Sequence, residues 1–266
     1  MIEGLWTAPL TSDRRSSAVP PGPWVYGFTG VGVRYRANPS ALKNVVPRPL
    51  EPADDGEVFA YVVEIVSQSL SDVKWNLELP DAVQYHEAAF FVKVLYGGRT
   101  YAYCPYMWVD TDLSLLRGFL AGFPKKLARI SYTKLHPLLH GEPRRGLKLG
   151  GFAARSHYTL FRIAVELEED RSQNEIPLRS MGPMLLPRYF PAIAPGLTEV
   201  NELVVFKYDS RCLSWRGRGS IEVVGGPNDV LKYLEPAGDS CEGYYFHLYL
   251  KPVKLSTLTS IKGFKE

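Results

Sequence analysis

The feature that most constrains this chain is a succession of short runs rich in β-branched and aromatic residues, broken by glycine and proline. Residues 24–36 (WVYGFTGVGVRYR) form the first, and the glycines inside it predict bends or the close approach of another backbone. Residues 58–66 (VFAYVVEIV) and 88–96 (AAFFVKVLY) are nearly continuous apolar runs. Gly97-Gly98 predicts a hairpin turn from the second of these into 100–108. Further strands are expected at 126–134, 155–166, 202–208 and 219–224. In 243–250 (GYYFHLYL), Tyr244, Phe246, Leu248 and Leu250 alternate with Tyr245, His247 and Tyr249.

Helical signals are few. Asn38 followed by Pro39 is an N-cap with proline in the first turn, opening a helix through ALKNVV that stops before Pro47. Residues 112–121 (DLSLLRGFLA) put Leu113, Leu116 and Leu120 on one face, with Gly122 as the stop. A short helix is expected at 227–234. Strands outnumber helices and no β-helix-β alternation repeats. The fold class is therefore mainly β (β-rich α+β), a large antiparallel sheet or barrel with a few short helices. The proline-rich 183–196 reads as an ordered irregular excursion and not as a linker, so 1–266 is read as one domain.

Composition removes several function classes. The 266 residues are 45% hydrophobic, an ordinary globular value. Lys and Arg number 31 against 28 Asp and Glu, a formal charge of +3. These charges are interspersed, with no basic face for nucleic acid, and Arg144-Arg145 reads as a solvated loop. No stretch approaches the ~18 apolar residues of a membrane span. The N-terminus has no signal-peptide core, so the default is a soluble cytoplasmic protein. Cys104, Cys212 and Cys241 have no disulfide or zinc spacing. His136 and His140 flank Pro137 without a third ligand, so no metal site is expected. His247 reads as a core or wall residue. The glycines of 27-GFTGVG-32 have the wrong spacing for a dinucleotide turn, and no Gly-x-Ser-x-Gly elbow is present.

The segment 121-AGFPKKLA-128 stands apart. Gly122 ends a helix, Pro124 forces Phe123 toward extended geometry, and the chain enters a strand carrying Lys125 and Lys126. Read blandly, a Lys-Lys pair at a strand start is a solvated edge. Read as chemistry, it needs a lysine that is neutral near pH 7, whereas an exposed lysine titrates near ~10.4. Burial or a second cation lowers that value. A neutral amine then attacks a ketone, and the resulting iminium stabilises a carbanion next to it.

AGFPKKL resembles the signature of the acetoacetate decarboxylases, a family known for its activated Schiff-base lysine. TAPLTS at 7–12, PPGPWVY at 20–26 and RYRANPSALKNVVPRPLE at 34–51 are similar to the family's N-terminal half. YHEAAF at 85–90 is similar to its Tyr-x-Glu strand, and 183–196 and 215-WRGRGSIEV-223 also have counterparts. The resemblance implies a cone-like antiparallel β-barrel, often homo-oligomeric, acting on a small keto acid without cofactor or metal. It places Lys125 on the Schiff-base lysine, Lys126 on its neighbour and Glu87 on the active-site glutamate. Apolarity of the following residues would instead put Lys126 inside.

The chain also departs from the family. The decarboxylases carry an arginine near the first strand, where this chain reads Gly27-Phe28-Thr29. A second family glutamate falls on Tyr61 in one register, or on Glu64 after a shift. Gly118-Phe119 stand where the decarboxylases have Arg-Glu. Phe28, Tyr61, Glu64 and Tyr245 are the candidate substrate-binding residues. The reaction expected is decarboxylation of a small 3-oxo acid. The alternatives are an aldolase-dehydratase on a 2-oxo acid using the same lysine, and a non-catalytic small-ligand-binding barrel.

Overall fold

The computed structural model describes residues 7–12, 16–71 and 78–260. Its strands, in chain order, are β1 (Trp24–Arg36), β2 (Glu51–Pro52), β3 (Glu57–Ser69), β4 (Gln84–Tyr96), β5 (Arg99–Val109) and β6 (Lys125–Leu127). They continue with β7 (Arg129–Tyr132), β8 (Lys148–Arg155), β9 (Tyr158–Leu167), β10 (Met184–Phe190), β11 (Val200–Val223) and β12 (Glu242–Ser260). The helices are α1 (Pro39–Leu42), α2 (Pro80–Val83), α3 (Asp112–Ala121), α4 (Pro137–His140) and α5 (Pro177–Ser180). Among the described residues, only α3 is longer than a single turn.

The sheet runs β10-β5-β4-β3-β1-β12-β11-β9-β8-β7, and β10 also pairs with β11. That second pairing closes β10, β5, β4, β3, β1, β12 and β11 into a ring. The long β11 serves two partners on one edge: Val200–Phe206 faces β10 and Gly217–Val223 faces β9. Strands β9, β8 and β7 thus leave the ring as a flap.

Alternation along the ring strands sorts side chains into two cores. One face holds Phe28, Tyr61, Ile65, Ala89, Phe91, Met107, Met184 and Phe246, and fills the ring. The other holds Val31, Val62, Ala88, Phe90, Trp108 and Tyr245, and packs against Leu149, Phe161 and Ile163 of the flap. Two glycines of β1 permit this double packing. A Cβ on Gly32 would lie 2.6 Å from the Phe59 ring, and one on Gly30 would lie 2.7 Å from Val63 Cα.

The hairpin at Gly97-Gly98 forms as expected, with both φ values positive (56° and 74°). α3 spans the predicted residues and stops at Gly122, φ 101°. Its buried face differs from the expected one. Leu113 is buried, but Leu116 and Leu120 are exposed, and Ser114 and Gly118 turn inward instead. The predicted strand 155–166 corresponds to β9, which starts at Tyr158 after a turn from Arg155, the last residue of β8, and 202–208 and 219–224 belong to one strand, β11.

The excursion at 183–196 contains a true strand, β10. β10 pairs along its length with β11 and forms a ladder pair with β5 only at Met184↔Ala102, which leaves the Pro187 nitrogen without a strand partner on that side. α1 has the predicted Asn38 cap on Ser40 N–H (2.9 Å) but ends at Leu42, ahead of the β-branched Val45-Val46 and Pro47. The 227–234 segment is helical only as a 3-10 turn at Lys232–Leu234. The Asp229 carboxylate there is engaged by distant side chains, which hold the chain as a loop. No helix among the described residues is long and apolar enough to cross a membrane.

Candidate active site

The ring encloses a cavity of ≈ 100 Å³ bounded on one side by α3. Its walls are mostly apolar, with Phe28, Phe91, Met107, Leu178, Met184 and Leu250 among them. Three charged side chains reach it: Glu87, Arg117 and Lys125.

Local chain geometry delivers Lys125. After the left-handed Gly122, Phe123 N–H bonds back to Gly118 O (3.0 Å), and β6 then lies parallel to β5 with Lys125 beside Met107. Met107 faces the ring interior, so Lys125 does too. The lysine stem passes directly under Gly118. A Cβ there would overlap Lys125 Cδ and Cε and stand 3.0 Å from Nζ. Only glycine leaves the stem this path.

Lys125 Nζ lies 2.8 Å from Glu87 Oε2, with the two side chains only 6% and 5% exposed. Nζ also donates to Ser114 Oγ at 3.0 Å and sits 5.3 Å from the Tyr85 ring centre. The other carboxylate oxygen, Glu87 Oε1, accepts the Tyr61 hydroxyl at 2.7 Å. Burial, then the Glu87 charge, pushes the Tyr61 phenol well up. Burial raises Tyr85 to about 12, against the opposing pull of Arg117. Both phenols therefore keep their protons and remain donors near neutral pH. Lys93, further along β4, pairs with Asp55 at 2.7 Å and not with Glu87.

Arg117 is a charged cavity residue that the sequence did not single out. Its guanidinium stacks over Trp24 at 4.3 Å and Tyr26 at 5.0 Å. It donates to Ser67 Oγ and to Tyr85 OH, each at 3.3 Å. Among the described residues no carboxylate is within ion-pair distance of it, so a cation faces the cavity with donors to spare. An arginine does reach the site, then, but from α3 and not from the first strand. The signal was the helical spacing of Ser114, Arg117, Gly118 and Ala121, which share one face of α3.

Three expected site residues lie elsewhere, each by strand parity. Glu64 sits one position off the cavity face of β3 and pairs with Lys134 at 2.6 Å. Tyr245 belongs to the opposite core, beside Trp215 and His247. Lys126 points to the far side of β6, beside Trp108. Phe28 and Tyr61 do line the cavity.

His247 packs as a wall residue, with Nδ1 2.9 Å from Thr29 Oγ1. Among the described residues no group of three or more His, Cys, Asp and Glu could hold a metal. The three cysteines are free thiols.

A model of the family "Acetoacetate decarboxylase (ADC)" matches residues 7–260. The chain belongs to the acetoacetate decarboxylase family. Acetoacetate decarboxylase 1 of Bradyrhizobium diazoefficiens is 25% identical over 224 residues, covering 81% of this chain and 78% of the relative. The acetoacetate decarboxylase-like enzyme of Sphingomonas wittichii RW1 superposes with a TM-score of 0.88 at 30% identity, covering 97% of this chain and all of that one. The enduracididine biosynthesis enzyme MppR, complexed with the condensation product of pyruvate and imidazole 4-carboxaldehyde, shares the fold. Its TM-score is 0.84 at 23% identity, over 98% of this chain and 99% of its own.

Proposed function

We propose that this family member is an iminium-forming carbon–carbon lyase that decarboxylates a small 3-oxo acid on Lys125. The observation that carries this reading is the 2.8 Å contact between Lys125 Nζ and Glu87 Oε2 inside a cavity shared with Arg117. An apolar cavity of about 150 Å³ holds benzene. The ≈ 100 Å³ here suits a short-chain acid and not a long one.

Arg117 holds the substrate carboxylate while Glu87 takes a proton from the Lys125 ammonium. The free amine attacks the carbonyl carbon. The carbinolamine loses water, using the proton returned by Glu87, and an iminium remains. The bond to the carboxylate then breaks, and its electron pair moves into the C=N⁺ group. CO2 departs and an enamine is left. Glu87, by then a carboxylate, takes up a proton from solvent and delivers it to the enamine carbon, which restores an iminium, and water hydrolyses that to the ketone and free Lys125. Tyr61 holds Glu87 in place through this cycle.

Arg117 itself favours a second reading. A guanidinium bound to a carboxylate stabilises that charge, which opposes its loss as CO2. It does not oppose enamine formation from a 2-oxo acid that keeps its carboxylate. Aldol condensation and dehydration on the same lysine follow from that enamine.

The test is borohydride trapping with acetoacetate and with pyruvate, mapped by mass spectrometry. An adduct on Lys125 that is lost in Lys125→Ala is expected. CO2 release from acetoacetate supports decarboxylation, and condensation of pyruvate with an added aldehyde supports the second reading. Absence of any adduct overturns both and leaves a ligand-binding barrel.

A further inference from the structure

β6 carries two consecutive lysines on three residues, and its own sequence does not choose between them. A one-residue slip would exchange their faces. The apolar residues that follow Lys126 on its face argue for the wrong lysine.

The choice is made from behind the strand. Asp229 lies in the loop after β11, with its side chain only 4% exposed. Its Oδ1 accepts Lys126 Nζ at 2.8 Å and Trp108 Nε1 at 3.1 Å. Its Oδ2 accepts Arg155 Nη1 at 3.5 Å. Lys126 Nζ also donates to Asn228 O at 2.5 Å. The same Arg155 donates from Nε to Leu127 O at 3.2 Å, so one guanidinium ties the carboxylate to the β6 backbone. Trp108 is the β5 residue beside Lys126, as Met107 is beside Lys125. Neither Asp229, Lys126, Arg155 nor Trp108 lines the cavity.

We propose that Asp229 is a positioning residue: by gripping Lys126 on the far face of β6 it sets the register that sends Lys125 into the cavity. This rests on reading Lys125 as the nucleophile. A buried ion pair is a poor source of net stability, because desolvating both charges offsets their attraction, and fixing register is its best-attested use. A slip or flip of β6 would withdraw Lys126 and leave the Asp229 carboxylate buried with its main cation gone, a heavily penalised state.

The experiment compares wild type, Asp229→Asn, Lys126→Met and Lys126→Arg. It measures the rate of borohydride-trapped adduct on Lys125 and, with the acid that turns over, kcat and KM per folded molecule. Asp229→Asn and Lys126→Met are expected to slow trapping and kcat by about tenfold to a hundredfold, the cost of a displaced reacting group. KM should move less than about threefold, because Arg117 is untouched. Lys126→Arg keeps a cation for Asp229 and should restore most of the rate. A merely structural role would lower the melting temperature and leave these per-molecule rates alone.

Wild-type rates in folded Asp229→Asn and Lys126→Met overturn the proposal while leaving the iminium reading intact. If Asp229→Asn does not fold, Lys126→Met decides, since that side chain is 34% exposed and its loss is better tolerated. No adduct in the wild type, with either acid, overturns the iminium reading and this inference with it.

Discussion

Two charged recesses of the molecule differ widely in size, and the smaller one is the candidate site. A cleft of ≈ 1030 Å³ lies at the end of β1 and the start of β12, beside residues 216–218 within β11, lined by Arg34, Glu57, Arg216, Arg218 and Glu242. Its charges meet opposite partners in water: Arg34 with Glu242 at 2.6 Å, Arg216 with Glu169 at 3.1 Å and Arg218 with Glu168 at 3.1 Å. Such solvated pairs contribute little and are screened by salt. The ring cavity, at ≈ 100 Å³, is far smaller, yet it holds a lysine and a carboxylate nearly out of water and an arginine with no described acid beside it. Chemistry follows the charges that solvent does not satisfy, and not the size of the opening.

Removing the lysine should break this contrast most sharply. Lys125→Ala is expected to give no borohydride adduct and to reduce turnover to background. Glu87→Gln keeps the shape and removes the proton acceptor, and kcat should fall about 10²- to 10⁴-fold, the usual worth of a positioned acid-base group. Arg117→Met should act on recognition and raise KM. Hydrogen bonds to a charged group are worth ~1.5–3 kcal/mol, so the rise should be roughly tenfold to a hundredfold, read from initial-rate kinetics.

A smaller effect concerns pH. Burial lowers the His247 pKa, with the Glu142 charge opposing. The unfolded chain therefore binds that proton more readily than the folded one. The His247 contribution is complete above its unfolded value of ~6.5 and is lost as pH falls through the lowered folded value. Thermal midpoints between pH 7 and pH 5 should fall further for wild type than for His247→Gln. The smallest effect belongs to the larger recess: Arg216→Ala should change kcat/KM less than about twofold. A large loss there would mean that the cleft takes part in turnover.

Much of the fold was legible in the sequence where one local rule dominated. β1, the Gly97-Gly98 hairpin and the span of α3 were set by β-branched runs, paired glycines and a glycine stop. β8 escaped because Gly150 and Gly151 dilute its pattern. Gly151 is needed there, since a Cβ on it would lie 2.8 Å from Val62 of the ring. β11 looked like two strands because Lys207, Asp209 and Arg211 interrupt its apolar pattern. Those residues face outward along a stretch that pairs with β12 throughout.

At the site, family resemblance pointed to Lys125 and Glu87, which the structure brings together, whereas Glu64 and Tyr245 were named without regard to strand parity and fall on the opposite face. α3 was read as an ordinary amphipathic helix, whose leucines should face in. Its inner face instead carries Ser114, Arg117 and Gly118, because the cavity and not a core lies beneath it. A helix that lines a site inverts the pattern by which helices are recognised.

Gly118 lies directly against the lysine stem, and Glu87 Oε2 stands 2.8 Å from its nitrogen. On the proposed reading, an enamine carried by that nitrogen would form between the backbone of α3 beside the stem and the Glu87 carboxylate beside the nitrogen. Protonation of the enamine carbon is then expected from one face. On the proposed decarboxylation, an acid bearing two different substituents on its central carbon would give its ketone as one enantiomer in excess, so that the absence of one side chain makes the chemistry chiral.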